Sequence, residues 1–137
     1  MSVLVQISDI HVGSLYNSSV FDKIVKEVNS MKPDAIVVTG DLTDEGLLPQ
    51  FELARKELAR FDCQNLIVIP GNHDYRHTGY LLYKKFFPSK QIHDMDDVIV
   101  VTLSTARPDR DEGEVGYRQL SWMQNTIDEF EGQRKKI

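Results

Sequence analysis

The stretch "NLIVIPGNHD", residues 65–74, joins an apolar run directly to four small or polar residues. The run over 66–70 is short and mostly β-branched, which is typical of a strand buried on both faces of a parallel sheet. The residues that follow include an amide, an imidazole and a carboxylate in a row, at Asn72, His73 and Asp74. Because ligands of open α/β sheets bind beyond the carboxyl ends of the strands, this stretch predicts a polar site at a sheet edge.

Other apolar runs of the same character predict three further strands. They are "VLVQIS" (3–8), "AIVVTG" (35–40) and "VIVVTL" (98–103). Four stretches carry apolar residues at helical spacing and predict helices over 18–31, 47–61, 78–87 and 117–132. In the first of them, Ser18 or Ser19 is the predicted N-cap. The alternation of strand and helix, with roughly 30 residues per unit, predicts an α/β fold: a βαβαβ chain with a largely parallel sheet.

The length and composition limit the classes of protein to consider. The 137 residues suit one domain, 1–137, and the single Cys63 excludes an internal disulfide, which favours a reducing compartment. No apolar run approaches the roughly 20 residues that cross a membrane, and the N-terminus lacks the pattern of a signal peptide. We therefore expect a cytoplasmic protein. The net charge of −5 argues against nucleic acid as a partner.

Each of the first three strands ends in a polar motif. Asp9 and His11 lie in "SDIHVG", Asp41 and Asp44 lie in "GDLTDEG", and Asn72 begins the polar part of "PGNHDY". Parallel strands would bring all three motifs to one edge of the sheet. Carboxylates, imidazoles and an amide oxygen form a ligand set suited to manganese, iron or zinc. A carboxylate such as Asp41 has two oxygens and can bridge two ions.

In this order, D-x-H, G-D-x-x-D and G-N-H-D resemble the motifs of the calcineurin-like metallophosphoesterase superfamily. The stretch "QLSWMQNTIDEF" (119–130) is similar to its cyclic-nucleotide-phosphodiesterase-type branch. The resemblance implies that the chain forms the N-terminal half of a four-layer α-β-β-α sandwich. It also implies a centre of two divalent metal ions, at which a metal-bound hydroxide hydrolyses a phosphodiester or phosphomonoester. The implied substrate is a small phosphate ester or a cyclic-nucleotide-like compound.

The resemblance also implies a role for each matching residue. Asp9 and His11 would bind the first ion, Asp41 would bridge both ions, and Asn72 would bind the second. His73 would protonate the leaving alcohol or stabilise the transition state. Asp74 would orient His73. Asp44 has two interpretations: it caps the following helix, or it supports the metal ligands from behind.

The sequence departs from the family pattern at its C-terminal end. A later strand with a single His and a G-H-x-H motif complete both metal sites in the family, and these 137 residues contain neither. We therefore expect a truncated domain that holds one ion firmly and is a weak or inactive phosphoesterase. The alternative is a catalytically incompetent half-length homologue that serves as a binding or assembly module. A nuclease of the same superfamily is a third hypothesis, which the acidic composition disfavours.

Two further expectations concern the surface. Strands that are apolar on both faces, with too few helices to cover both, predict a sheet face that needs a partner. The partner would be a second copy, giving a homodimer, or a separate C-terminal half. The polar loop over 104–117 contains "RPDRDEG" (107–113), which mixes both charges and is interpreted as solvated loop.

Overall fold

A computed structural model describes residues 1–88 and 91–133, and the backbone of 135–136. Within these residues there are six strands, β1 (Leu4–Ile7), β2 (Ala35–Val38), β3 (Leu66–Val68), β4 (Ile92–Asp94), β5 (Val98–Val101) and β6 (Lys135–Lys136). The described part of the chain also forms four α-helices, α1 (Ser18–Met31), α2 (Leu48–Leu58), α3 (Gly79–Phe86) and α4 (Tyr117–Glu129). A short 3-10 helix, His73–Tyr75, follows β3. All four predicted helices and all four predicted strands are present, although α2 and α4 each end three residues before the predicted limit.

The strands β1, β2 and β3 form a parallel sheet in that order. The register sets Leu4 beside Ala35 and Ile36 beside Leu66. β2 lies between its two neighbours, and three of its four residues are fully buried. This position explains why its sequence is apolar without alternation. The predicted α/β fold with a parallel sheet is confirmed, and it is consistent with the N-terminal half of the metallophosphoesterase fold.

Helices α1 to α3 cover one face of this sheet. Ile36, Val38 and Val68 point to that face and belong to the main hydrophobic core. The buried side chains that the three helices contribute are Phe21, Val25, Val28, Phe51, Ala54, Leu58 and Tyr83. The core therefore lies directly beneath the strands whose carboxyl ends carry the polar motifs.

The fourth predicted strand, β5, belongs to a second sheet and not to the parallel one. It pairs antiparallel with β4 and parallel with β6. A tight connection makes this pairing possible, because the Met95 N–H donates to the Val98 carbonyl oxygen at 2.9 Å. Val98 and Val100 then pack on Ala35 and Ile67, on the face of the parallel sheet opposite the helices. A strand of the chain itself therefore covers part of the face for which the sequence predicts a partner.

The start of α1 also differs from the sequence expectation. Asn17, and not Ser18 or Ser19, is the N-cap: its side-chain oxygen accepts hydrogen bonds from the N–H groups of Ser19 and Val20 at 3.1 and 3.2 Å. An asparagine one position earlier reaches the free N–H groups of the first turn equally well. The end of the helix agrees with the prediction, because Lys32 adopts a left-handed conformation just before Pro33.

Part of the second face stays open. Between the two sheets, a cavity of about 450 Å³ is lined mainly by apolar side chains, among them Leu4, Val37, Ile69, Val100 and Leu103. β5 therefore covers this face incompletely. Among the described residues, no helix has the length and apolar composition needed to cross a membrane.

Candidate metal centre

The loops that follow β1 and β2 run side by side. The Asp9 N–H donates to the Gly40 carbonyl oxygen at 3.1 Å, and the His11 N–H donates to the Asp41 carbonyl oxygen at 3.0 Å. Asp9, His11 and Asp41 all have left-handed backbones, with φ of 57°, 48° and 51°. This conformation costs a non-glycine residue about 1–2 kcal/mol, and such strain is concentrated at functional sites. The backbone thus sets three of the predicted metal ligands next to one another.

Two glycines allow the turn after β3 to reach the same place. A Cβ at Gly71 would lie 2.5 Å from the backbone nitrogen of Asp41, and a Cβ at Gly40 would lie 2.6 Å from the backbone nitrogen of Gly71. Gly40 also has a φ of 103°, which side chains rarely allow. Only glycine at both positions lets the two turns pack backbone to backbone. His73 is consequently close to Asp41.

Two carboxylates flank the His11 ring. His11 Nε2 lies 3.7 Å from Asp9 Oδ1 and 3.8 Å from Asp41 Oδ2. A tetrahedral ion with bonds of about 2.0–2.2 Å holds its ligand atoms roughly 3.3–3.6 Å apart. Each carboxylate is therefore close to the separation from His11 Nε2 that two ligands of one ion would have. The Asp41 side chain is 17% exposed and the Asp9 side chain is 66% exposed, so the site opens toward solvent on the side of Asp9.

His73 completes the cluster. Its ring lies edge-on to that of His11, with 4.6 Å between the ring centroids, and its backbone N–H donates to Asp41 Oδ1 at 3.1 Å. Ligand atoms of His11, Asp41 and His73 all lie within 4.8 Å of one another. His73 Nδ1 is 2.8 Å from the Asp44 carbonyl oxygen. Because a carbonyl only accepts, Nδ1 carries the hydrogen, and Nε2 is left to bind an ion or to transfer a proton.

Asp44 supports both histidines. Its carboxylate oxygen Oδ1 lies 3.5 Å from His11 Nδ1, while its backbone carbonyl oxygen holds His73. A carboxylate behind a histidine fixes the ring so that the other nitrogen faces the metal. The alternative interpretation of Asp44, as the cap of the following helix, does not agree with the structure. The N-cap of α2 is Leu47, whose N–H is satisfied by Gln50 Oε1 at 3.3 Å.

The structure gives Asp74 a different task from the predicted one. Asp74 is fully buried, and its carboxylate accepts hydrogen bonds from the backbone N–H groups of Leu42, Thr43 and Gly71 and from the Thr43 hydroxyl, at 2.9–3.2 Å. Burial raises the pKa of Asp74 above its ordinary value, and these hydrogen bonds oppose that shift. The prediction that Asp74 orients His73 was wrong, because the Asp44 carbonyl does so. Asp74 instead ties the turn after β2 to the turn after β3.

Asn72 has a partner that the sequence analysis missed. Its side-chain nitrogen donates to Asp111 Oδ1 at 3.0 Å. Asp111 lies in the loop that was interpreted as solvated, and Asp109 of the same loop donates its N–H to the Tyr75 carbonyl oxygen at 3.2 Å. This loop follows strand β5, just as each of the three polar motifs follows a strand. That position after a strand is the feature of the sequence that could have identified Asp111 as a residue of the site.

The donor set fits a divalent metal ion. The described residues bring together carboxylates and imidazoles, which bind manganese, iron and zinc in proteins, and they leave one side of the cluster open. A catalytic site commonly combines three protein ligands with such an open position. His11, Asp41 and His73 have ligand atoms close enough to share an ion, and Asp9 lies beside His11 as a further candidate ligand.

Comparison with known proteins agrees with this fold and donor set. A family model for calcineurin-like phosphoesterases matches residues 2–134. The match covers nearly the whole chain, and the protein belongs to the calcineurin-like phosphoesterase family. Members of this family are metal-dependent hydrolases.

The chain is similar to several curated proteins of that family. It is 33% identical over 141 residues to a probable cyclic nucleotide phosphodiesterase of Rhodococcus erythropolis, covering 90% of this chain and 46% of the relative. It is 29% identical to a cAMP/cGMP dual specificity phosphodiesterase of Mycobacterium tuberculosis, covering 88% and 43%, respectively. A probable glycerophosphodiester phosphodiesterase of Arcobacter nitrofigilis is 24% identical, with 93% and 52% covered. The chain spans about half the length of the curated relatives it matches.

Proposed function

We propose that this chain is the metal-binding half of a metal-dependent phosphoesterase, which hydrolyses a phosphodiester or a phosphomonoester. One observation carries the proposal: Asp9 Oδ1 and Asp41 Oδ2 lie 3.7 and 3.8 Å from His11 Nε2, with His73 beside them. The three strand-end motifs thus meet as one cluster. A phosphate ester carries negative charge and this cluster is acidic, so substrate binding requires the positive charge of a metal ion.

The residues of the cluster divide the chemistry between them. A bound ion supplies Lewis-acid chemistry, withdrawing charge from the phosphoryl group. Asp9, His11 and Asp41 would hold that ion, and Asp44, beside Nδ1 of His11, would keep Nε2 available to it. Nδ1 of His73 stays hydrogen bonded to the Asp44 carbonyl, and when Nε2 also carries a proton, Nε2 gives that proton to the leaving alcohol and the ring becomes neutral.

The names of the relatives support a substrate class. Two of them are named for cyclic nucleotides and one for glycerophosphodiesters, all of which are small phosphodiesters. We infer that the substrate of this chain, or of the assembly it belongs to, is a small phosphate ester of this kind.

A second candidate function, a binding or assembly module without catalysis, is favoured by the cavity beside the centre. Of the predicted ligands for the second ion, this cavity of about 210 Å³ contains Asp41 and Asn72. Two protein ligands are fewer than catalytic metal sites commonly provide. If one ion is insufficient for the reaction, the chain binds metal without efficient hydrolysis.

Metal analysis after dialysis separates the two ions. We expect at most one firmly held ion per chain, because the first position has three protein ligands and the second has two. We also expect weak, manganese-stimulated hydrolysis of a chromogenic phosphodiester. Two tightly held ions per chain, with no ligand from another chain, would contradict this assignment. One ion with no detectable hydrolysis would favour the binding module.

The incompletely covered sheet face supports an expectation about assembly. We propose that the cavity of about 450 Å³ between the two sheets is closed by a partner, either a second copy of this chain or a separate C-terminal half. Light scattering over a range of concentrations measures this directly, and a dimer is the expected result for the isolated chain. A monomer that binds no hydrophobic dye would show that the face needs no partner.

A further inference from the structure

The side-chain amide of Asn72 is held by one charged partner. Its nitrogen donates to Asp111 Oδ1 at 3.0 Å, and a hydrogen bond to a carboxylate is stronger than one to a neutral acceptor. An amide is planar, with its oxygen and nitrogen on opposite sides. Because the Asn72 side-chain nitrogen is hydrogen bonded to Asp111, the Asn72 side-chain oxygen is the atom available to other groups of the site. An asparagine binds a metal ion through that oxygen.

The loop that carries Asp111 is docked against the segment that carries Asn72. The His77 N–H donates to Asp109 Oδ1 at 2.6 Å, and the Asp109 N–H donates to the Tyr75 carbonyl oxygen at 3.2 Å. Two hydrogen bonds therefore fix the loop two residues before Asp111. The backbone near Asp111 is therefore held in place, and it sets the position of the Asp111 side chain relative to Asn72.

Arg76 connects Asp111 to the other half of the site. Its Nη2 lies 4.0 Å from Asp111 Oδ1, and its Nη1 donates to the Asp44 carbonyl oxygen at 3.4 Å and to Glu45 Oε1 at 3.3 Å. The Asp44 carbonyl is the acceptor that holds His73. One guanidinium thus contacts the partner of Asn72 and the partner of His73.

The amide and its partner open into the cavity of the candidate centre. Asp9, Asp41, Asn72 and Asp111 line the same space of about 210 Å³, together with Glu112. The orientation of the Asn72 amide therefore decides whether an oxygen or an NH₂ group faces a cation placed beside Asp41. An NH₂ group carries partial positive charge and repels a cation.

We propose that Asp111 is a positioning residue for Asn72. By accepting from the Asn72 NH₂ group, its carboxylate presents the Asn72 oxygen to the second metal position beside Asp41, and Arg76 steadies that carboxylate. The inference rests on the proposed function, because it takes Asn72 as a metal ligand. Groups that orient ligands in this way change metal affinity by about 10- to 100-fold. Since 84% of the Asp111 side chain is exposed, we expect the lower end of that range.

The test uses the side-chain amide signal of Asn72 in a proton–nitrogen NMR spectrum of the whole chain. The signal is assigned by its loss in Asn72→Ser, and zinc is the probe because it is diamagnetic. In Asp111→Ala, we expect the Asn72 signal to shift before any zinc is added. The zinc concentration at which half of the change in the Asn72 signal has occurred should be about tenfold higher than in the wild type. Asp111→Asn keeps an acceptor oxygen and should recover part of that loss.

Glu112→Ala is the matched control, because it removes the same charge from the next position of the same loop. It should change the Asn72 signal little and the zinc concentration by no more than about twofold. An equal rise in Glu112→Ala would overturn the proposal, since charge alone would then explain the effect. Wild-type behaviour of Asp111→Ala would overturn it directly. If zinc moves the His11 signals but never that of Asn72, then Asn72 is not a ligand: this proposal fails while the first metal position stands.

Discussion

Replacing Asp41 with asparagine is expected to remove the firmly held metal ion and, with it, the hydrolysis of a phosphodiester. Asp41 is the point where the three motifs meet: Oδ2 lies 3.8 Å from His11 Nε2, and Oδ1 accepts from the His73 N–H at 3.1 Å. Removing the charge of a ligand should cost more than the roughly 10- to 100-fold that supporting residues cost. We therefore expect a loss of metal affinity of at least about a hundredfold.

Asparagine is a cleaner replacement than alanine at this position. Asp41 has a φ of 51°, which asparagine tolerates and which costs alanine about 1–2 kcal/mol. The asparagine side chain of Asp41→Asn also keeps an oxygen that can accept from the His73 N–H. Metal content after dialysis and hydrolysis of a chromogenic phosphodiester are the two measurements. Asp128→Asn, at an exposed position of α4, removes the same charge from a residue outside the cluster and should leave both unchanged. If Asp41→Asn retained its metal, the centre would have to be sought elsewhere.

His73→Ala is the companion experiment, because the structure allows two roles for this residue. Hydrolysis should be lost in either case. The metal content then separates the roles. Retained metal identifies His73 as the proton donor that the family resemblance implies, and lost metal identifies it as a ligand, as its position within 4.8 Å of the His11 and Asp41 ligand atoms allows.

The cluster could be predicted from the sequence because its geometry follows from strand direction alone. Once β1, β2 and β3 are parallel, the residues after them share an edge, whatever the details of each loop. Local spacing then decides the rest, as in Asp9 and His11, which lie two positions apart and face the same point. Short motifs at strand ends therefore indicate both where the strands end and which side chains form the site.

Apart from the N-cap of α1, the contacts that escaped prediction join distant parts of the chain. Asn72 and Asp111 are 39 residues apart, and no local pattern relates a G-N-H-D turn to an acidic loop. The assignment of β5 to a second sheet depended on β4, a strand of three residues with no strong apolar pattern. For Asp74, proximity to His73 in sequence suggested contact. The buried turn instead places its carboxylate against the N–H groups of Leu42 and Thr43.

The new position of Asp74 leads to the largest expected effect on stability. Asp74→Ala would leave three backbone N–H groups and the Thr43 hydroxyl without their acceptor in a fully buried turn. Each unsatisfied buried group costs about 1–3 kcal/mol, although water entering the space left by the carboxylate recovers part of this. We expect the free energy of unfolding to fall by about 3–5 kcal/mol, a large share of the roughly 5–15 kcal/mol of a typical domain.

Urea unfolding followed by circular dichroism measures that loss. With a denaturant slope of about 1–3 kcal/mol per molar, the midpoint should fall by about 2 M. Asp74→Asn should recover only part of the stability, because its NH₂ group would face the N–H donors that one carboxylate oxygen now accepts from. Asp62→Ala, at an exposed aspartate just before β3, should change stability by less than about 0.5 kcal/mol. Because Asp74 joins the turn of Asp41 to the turn of His73, its loss should also weaken metal binding in the fraction that stays folded. An Asp74→Ala chain as stable as the wild type would show that the two turns are held together by other contacts.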